Sequence, residues 1–194
     1  QTRSTPHIFQ KMIVNENNES TVNVINVAGS AGDGKYQLKI IKTTLLEYEP
    51  DLVILYTGWN DLSKDYPVMG MVDFLRDICN TGKQNNFDVM IALQPIAGFG
   101  NKVLTEQEKI NSLTGQDHNG FQLLQAKSTY DWLERESEIL IKNSDNNACT
   151  FHDLRNTFDD ISGPIYWDQG HMSDAGNLIL ADRFLKELSK THPN

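Results

Sequence analysis

The sequence predicts an α/β fold in three layers, with helices covering both faces of a parallel sheet, and three observations carry that expectation. Short apolar runs alternate with longer segments of helical spacing along the 194 residues, the order that gives a parallel sheet with crossover helices. The run Leu52 to Tyr56 is apolar and partly β-branched, as in strands buried on both faces. Val22 to Val27 passes into Ala28-Gly29-Ser30-Ala31-Gly32-Asp33-Gly34, Leu52 to Thr57 into Gly58-Trp59-Asn60-Asp61, and Phe87 to Leu93 into Gln94-Pro95-Ile96-Ala97-Gly98. In such folds the carboxyl ends of the strands are where ligands sit.

The elements follow in order. Ile8, Phe9, Met12 and Ile13 have helical spacing behind Pro6, giving a helix over Pro6 to Val14. A strand is expected at Val22 to Val27, a helix from Lys35 to Tyr48, a strand at Leu52 to Thr57, and a helix from Val68 to Asn80. A strand at Phe87 to Leu93 precedes a polar excursion, Gln94 to Gly120, longer than most connections in compact domains and read either as a functional loop or as a plain solvent-exposed one. Gln94 and Phe99 are candidates for lining a pocket there. A helix from Phe121 to Lys142, a strand at Thr150 to Leu154 and a closing helix complete the chain. The closing helix shows in Leu178, Ile179, Ala181, Phe184, Leu185 and Leu188, with Ser173 placed as its N-cap. No internal repeat or low-complexity linker interrupts the series, so residues 1 to 194 are expected to be one domain.

Composition narrows the partners. The formal charge of −9 repels nucleic acid and anionic membrane surfaces, and no basic stripe offsets it. No apolar run approaches the roughly 20 residues of a membrane span. Cys79 and Cys149 are compatible with two buried thiols or one bridge, and neither has metal-ligand spacing. Asn18-Glu19-Ser20 is a glycosylation-type triplet in a polar stretch. Compartment and oligomeric state are not set by these residues.

The chemistry concentrates in Trp167-Asp168-Gln169-Gly170-His171-Met172-Ser173. A carboxylate three residues before an imidazole can accept its Nδ1 proton, which fixes the tautomer and leaves Nε2 as a base. Asn60, beyond the strand at Leu52 to Thr57, carries a side-chain amide able to donate to an oxyanion. The turn Gly29 to Gly32 presents backbone N–H groups at another strand end. Gly29 to Lys35 also satisfies Gly-x-x-x-x-Gly-Lys, the phosphate-cradling loop. That alternative lacks two parts: Tyr36 stands where a Ser or Thr would bind Mg²⁺, and Leu52 to Tyr56 runs into Thr57-Gly58 rather than a metal-holding Asp.

Together, Asn26-x-x-Gly29-x-x-Gly32 after a strand, Gly58-x-Asn60-Asp61 after a strand, and Asp168-x-x-His171 before a helix resemble the second, third and fifth sequence blocks of the SGNH (GDSL-type) hydrolases. The resemblance runs from about Thr5 to Leu188 and includes Glu49-Pro50-Asp51-Leu52-Val53. It implies a flavodoxin-like parallel sheet and a serine-type ester hydrolase needing no metal or organic cofactor. The substrate class it implies is a carboxylic ester or an O-acyl group on a carbohydrate. It assigns His171 as base, Asp168 as its orienting partner, Asn60 as side-chain oxyanion donor and Gly32 as backbone donor, with Gly29 the alternative because the turn is one residue longer than the usual form. The family's first block, a strand ending in the nucleophilic serine, has no match before Gly32. The serine is therefore expected on a strand ahead of Gln1, lying between the strands at Val22 to Val27 and Leu52 to Thr57. Ser30 in Ala28-Gly29-Ser30-Ala31-Gly32 is a near match to Gly-x-Ser-x-Gly, with Ala at the first position, and is read as a turn residue first and a substitute nucleophile second. A non-catalytic relative that binds a glycan is the other function this pattern allows.

Overall fold

Among the described residues three runs become strands, and they pair in one sheet. The structure, a computed structural model, describes residues 4–16, 22–62, 64, 67–114, 123–143 and 149–191. Its strands are β1 (Leu52–Thr57), β2 (Asp88–Leu93) and β3 (Cys149–Asp153), in a parallel sheet of order β1-β2-β3. Leu52 stands opposite Asp88 and Thr57 opposite Leu93, while Val89 stands opposite Cys149 and Leu93 opposite Asp153. The helices are α1 (Thr5–Glu16), α2 (Gly34–Thr43), α3 (Trp59–Leu62), α4 (Val68–Asn85), α5 (Glu106–Thr114), α6 (Leu123–Lys142) and α7 (Asp174–Thr191). Parallel neighbours need a crossover. α4 supplies it between β1 and β2, and α6 between β2 and β3.

The chain divides into two compact units. One comprises Ala28–Gln94 and Gln116–Leu154 and holds the sheet. β2 is its centre: Val89, Met90, Ile91, Ala92 and Leu93 are all buried, which is why this strand reads as an unbroken apolar run. β1 instead alternates, with Val53, Leu55 and Thr57 buried and Leu52, Ile54 and Tyr56 half-buried. α4 packs on α2, α6 and β2, and α6 packs on β3. A disulfide joins Cys79 of α4 to Cys149 at the start of β3, resolving the choice between bridge and thiols.

The other unit comprises Gln1–Val27, Pro95–Gly115 and Arg155–Asn194. In it α1 packs on α7. Phe9 and Phe184 meet edge to face with centroids 6.2 Å apart, and the Thr5 hydroxyl donates to Asn177 Oδ1 at 2.9 Å.

Several boundaries differ from expectation, each for a local reason. Val22 to Val27 is not a strand: its residues are half-buried or exposed and belong to no ladder among the described residues. An apolar run is held as a strand only where neighbouring chain takes its N–H and C=O groups in a ladder. The helix expected to reach Tyr48 stops at Thr43, where the Thr43 hydroxyl turns back to Lys39 O at 2.9 Å, a bond that competes with helix continuation. A 3-10 turn, Leu45–Tyr48, follows. α4 runs five residues past Asn80 because Gly82 is a close approach rather than a break. A Cβ there would lie 2.8 Å from Phe87 O and from Val89 Cγ2, and the helix ends at Asn86 in the left-handed region, φ 59°. β3 begins and ends one residue earlier than expected. The excursion after Leu93 is not structureless, since it contains α5. Phe121 and Gln122, expected in α6, and Asn18-Glu19-Ser20 lie outside the described residues.

Candidate active site

The loop Trp167 to Ser173 is closed upon itself. Tyr166 and Met172 form an antiparallel bridge, Trp167 N–H donates to His171 O at 2.9 Å, and Ser173 N–H donates to Ile165 O at 2.7 Å. Inside the loop one carboxylate takes three donors. Asp168 Oδ1 accepts from Gly170 N–H at 2.9 Å and His171 N–H at 2.8 Å, and Oδ2 lies 2.8 Å from His171 Nδ1. With a carboxylate facing it, Nδ1 carries the proton and Nε2 keeps its lone pair. Burial raises the Asp168 pKa, but the His171 N–H and imidazole and the Gly170 N–H outweigh it and hold the carboxyl below the usual range. The His171 side chain is 83% exposed, so the base is open at its outer edge. Ser173 is the N-cap that the sequence suggests: its Oγ accepts Gly176 N–H at 3.3 Å.

A buried ion pair, absent from the sequence reading, holds this loop from behind. Lys102 Nζ lies 3.2 Å from Glu108 Oε2, with side chains 4% and 0% exposed. Glu108 Oε1 accepts Ile165 N–H at 2.7 Å and Tyr166 N–H at 3.1 Å, and Oε2 accepts Thr105 N–H at 2.8 Å. Lys102 donates to Ile161 O and Gly163 O, each at 2.9 Å. The residues leading into the dyad loop are therefore tied to the start of α5. The signal was legible: Thr105-x-x-Glu108 is a capping box, and Glu108 N–H returns to Thr105 Oγ1 at 3.2 Å. Phe99, expected to line a pocket, is buried. Gln94, half-buried, accepts the Tyr130 hydroxyl on its carbonyl at 2.7 Å.

In the sheet-bearing unit the two turns with the remaining site residues are bound together. Asn60 Nδ2 donates to Gly32 O at 3.0 Å. Gly32 N–H, expected as an oxyanion donor, donates to Gly29 O at 3.2 Å within its own turn. Lys64 Nζ reaches Ala31 O at 3.0 Å and Asp33 Oδ2 at 2.7 Å. Ala31, at φ 54°, occupies the left-handed region without being glycine. A Cβ at Gly29 would stand 2.5 Å from the Tyr36 hydroxyl, and one at Gly32 would stand 2.9 Å from the Tyr36 ring.

In the first turn of α2 two amides are already taken by carboxylates. Asp33 caps it by accepting Tyr36 N–H at 2.8 Å, and Asp61 accepts Gly34 N–H at 2.8 Å. Two carboxylates thus occupy two of the amides that a phosphate-cradling loop would offer, which counts against that alternative.

Gly58, between β1 and the helical turn bearing Asn60, has φ 121°. A Cβ there would lie 2.5 Å from the Tyr130 hydroxyl and 2.9 Å from Leu93 Cδ1. Gly58→Ala is expected to destabilise the protein by about 2 kcal/mol, from backbone strain and displacement of Tyr130. Urea unfolding checks it, and a loss below about 0.5 kcal/mol, the scale of a neutral surface change, would show that the turn adapts.

No family model matches the chain, and no curated protein matches it in sequence. Solved structures do. An acetyl xylan esterase, AlAXEase, superposes with a TM-score of 0.71 at 16% identity, over 97% of this chain and 92% of its own. Axe2, an acetylxylan esterase from Geobacillus stearothermophilus, gives 0.71 at 17% identity, over 95% and 80%. The psychrotrophic esterase EstA from Pseudoalteromonas sp. gives 0.68 at 17% identity, over 100% and 90%. The chain has the SGNH-hydrolase fold. At these identities the likeness is one of fold, and roles must come from the residues themselves. The sheet order β1-β2-β3, with a helix in each crossover, agrees with the flavodoxin-like arrangement that the resemblance implies.

Proposed function

We propose that the chain is a serine-type ester hydrolase, built as one domain, acting on a carboxylic ester or on an O-acyl group of a carbohydrate. The observation that carries this reading is the Asp168–His171 pair, 2.8 Å from Oδ2 to Nδ1, which leaves Nε2 as the base on an exposed imidazole. Solved structures of the same fold support it, since they are named as esterases, and catalytic mutants of Axe2 replace a serine and a histidine with alanine.

In this reading His171 Nε2 takes the proton of a serine hydroxyl as its Oγ bonds to the ester carbonyl carbon. The carbonyl oxygen becomes an oxyanion, for which the Asn60 amide is the side-chain donor and the Gly29 to Gly32 turn the backbone donor. Collapse expels the alcohol, protonated by His171, and leaves an acyl-enzyme that water opens by the same steps in reverse order. Gly32 N–H is bonded to Gly29 O, and Gly29 remains the alternative donor. Ser30 is exposed in that turn, and Ser30→Ala separates it from a serine placed elsewhere.

The test is Asn60→Ala, assayed on a chromogenic acetate and on acetylated xylo-oligosaccharides. Removing one oxyanion donor is expected to lower kcat by about 100-fold, roughly 2.7 kcal/mol, with a smaller change in KM. Turnover equal to that of the unaltered protein would remove the oxyanion assignment. Binding of the oligosaccharide with no hydrolysis by either protein would instead favour a non-catalytic glycan binder.

A further inference from the structure

Asp61 is buried, at 3% exposure, and is used by none of the steps above. Its Oδ1 accepts Gly34 N–H at 2.8 Å, and its Oδ2 accepts the Thr57 hydroxyl at 3.0 Å. Gly34 opens α2 directly behind the Gly29 to Gly32 turn, Thr57 closes β1, and Asp61 itself follows Asn60. One side chain thus joins the end of a strand, the start of a helix and the residue beside the amide donor. There is no slack in the arrangement: a Cβ at Gly34 would stand 3.1 Å from Asp61 Oδ1 and from Phe74 Cβ.

A carboxylate in this place is costly. Burial and the neighbouring Asp33 push its pKa up, against the donors Gly34, Thr57 and Gly58.

We infer that Asp61 is a positioning residue that fixes Asn60 and the Gly29 to Gly32 turn in one geometry by bridging Gly34 N–H and Thr57 Oγ. The two groups meet again through Asn60 Nδ2 and Gly32 O, 3.0 Å apart, so the bridge and this bond close a ring of contacts around both donors. Asp61 touches no substrate. Its effect is on where the donors stand, and small displacements of such groups are costly in rate.

This inference rests on the esterase reading, and the experiment separates the two. The full chain is compared with Asp61→Ala, Asp61→Asn and Thr57→Val, with kcat and KM on a chromogenic acetate, and with amide NMR of Gly32, Gly34 and the Asn60 side chain. Asp61→Ala is expected to lower kcat by about 10-fold or more with KM within about twofold, to shift the Asn60 side-chain amide, and to speed hydrogen exchange at Gly34. Asp61→Asn, which keeps an acceptor for Gly34, should restore both the rate and the protection. If Asp61→Ala does not fold, Thr57→Val removes one of the two bonds with little change of shape and should give the same loss confined to kcat. A fall in thermal stability with unchanged kcat and an unmoved Asn60 amide would overturn the inference. Moved amides together with full activity in Asn60→Ala would leave the bridge standing and reject the oxyanion role of Asn60, and moved amides with no turnover by the unaltered chain would leave the bridge standing and reject the esterase assignment.

Discussion

Glu108→Ala is expected to lower the unfolding free energy by about 3–5 kcal/mol, because it leaves the Lys102 ammonium buried without its carboxylate. The side chains are 0% and 4% exposed, so water cannot replace the lost partner. The variant also strips acceptors from Thr105, Ile165 and Tyr166 N–H, and buried donors without acceptors add to the cost. Lys102→Met is the milder partner change, since it keeps the length of the side chain while removing the charge. Urea unfolding at neutral pH measures both, and a loss below about 1 kcal/mol in Glu108→Ala, the value of an exposed pair, would show that the pair is not buried in solution.

The same carboxylate sets an acid limit. Burial acts to raise the Glu108 pKa, but the N–H donors of Ile165, Thr105 and Tyr166 and the Lys102 ammonium outweigh it and bring the pKa down to about 2, from 4.5. A depressed carboxylate contributes its full stabilisation above the unfolded value and loses it as the pH falls through the folded one. The contribution is therefore complete above about pH 4.5 and disappears toward pH 2. Asp168, also depressed, acts in the same direction. Asp61, raised above 3.8, acts oppositely: the folded protein holds its proton more tightly, so this residue alone makes stability fall as pH rises from 3.8 through its folded pKa.

What the sequence revealed, and what it hid, follows from how local each interaction is. β2 was legible because a centre strand buried on both faces needs apolar residues at every position, and Val89 to Leu93 supply them. Asp168, His171 and Ser173 were legible because their bonds span three residues, within reach of a spacing argument. Val22 to Val27 misled, since β-branched residues report a preference for strand while the ladder depends on distant chain. The ties from Glu108 to Ile165, from Lys102 to Ile161 and from Asp61 to Gly34 cross 27 to 59 positions. No periodicity encodes such pairs. Only the capping box at Thr105 and the Asp that follows Asn60 mark them in the sequence, and either mark alone is an ordinary surface pattern.

Removing the Cys79–Cys149 bridge is expected to cost about 4 kcal/mol, the loop-closure entropy of a cross-link spanning 70 residues. The enclosed stretch contains the end of α4, all of β2, α5 and α6, so the bridge restricts the unfolded chain over more than one crossover. It also acts on sheet assembly. Cys149 is the first residue of β3 and stands opposite Val89, and α4 packs on β2. The bond therefore returns β3 to the register in which Leu93 faces Asp153. Both cysteines are buried, which slows thiol exchange in the native state, so reduction should follow opening of the structure. The measurement is urea unfolding of Cys79→Ala/Cys149→Ala against the oxidised protein, with thiol alkylation and mass determination of the native chain before and after a reductant. Two alkylated thiols in the native, oxidised protein would refute the bridge. A bridge that forms but contributes less than about 1 kcal/mol would show that the unfolded chain already keeps α4 and β3 together, the circumstance in which cross-links deliver less than their loop length implies.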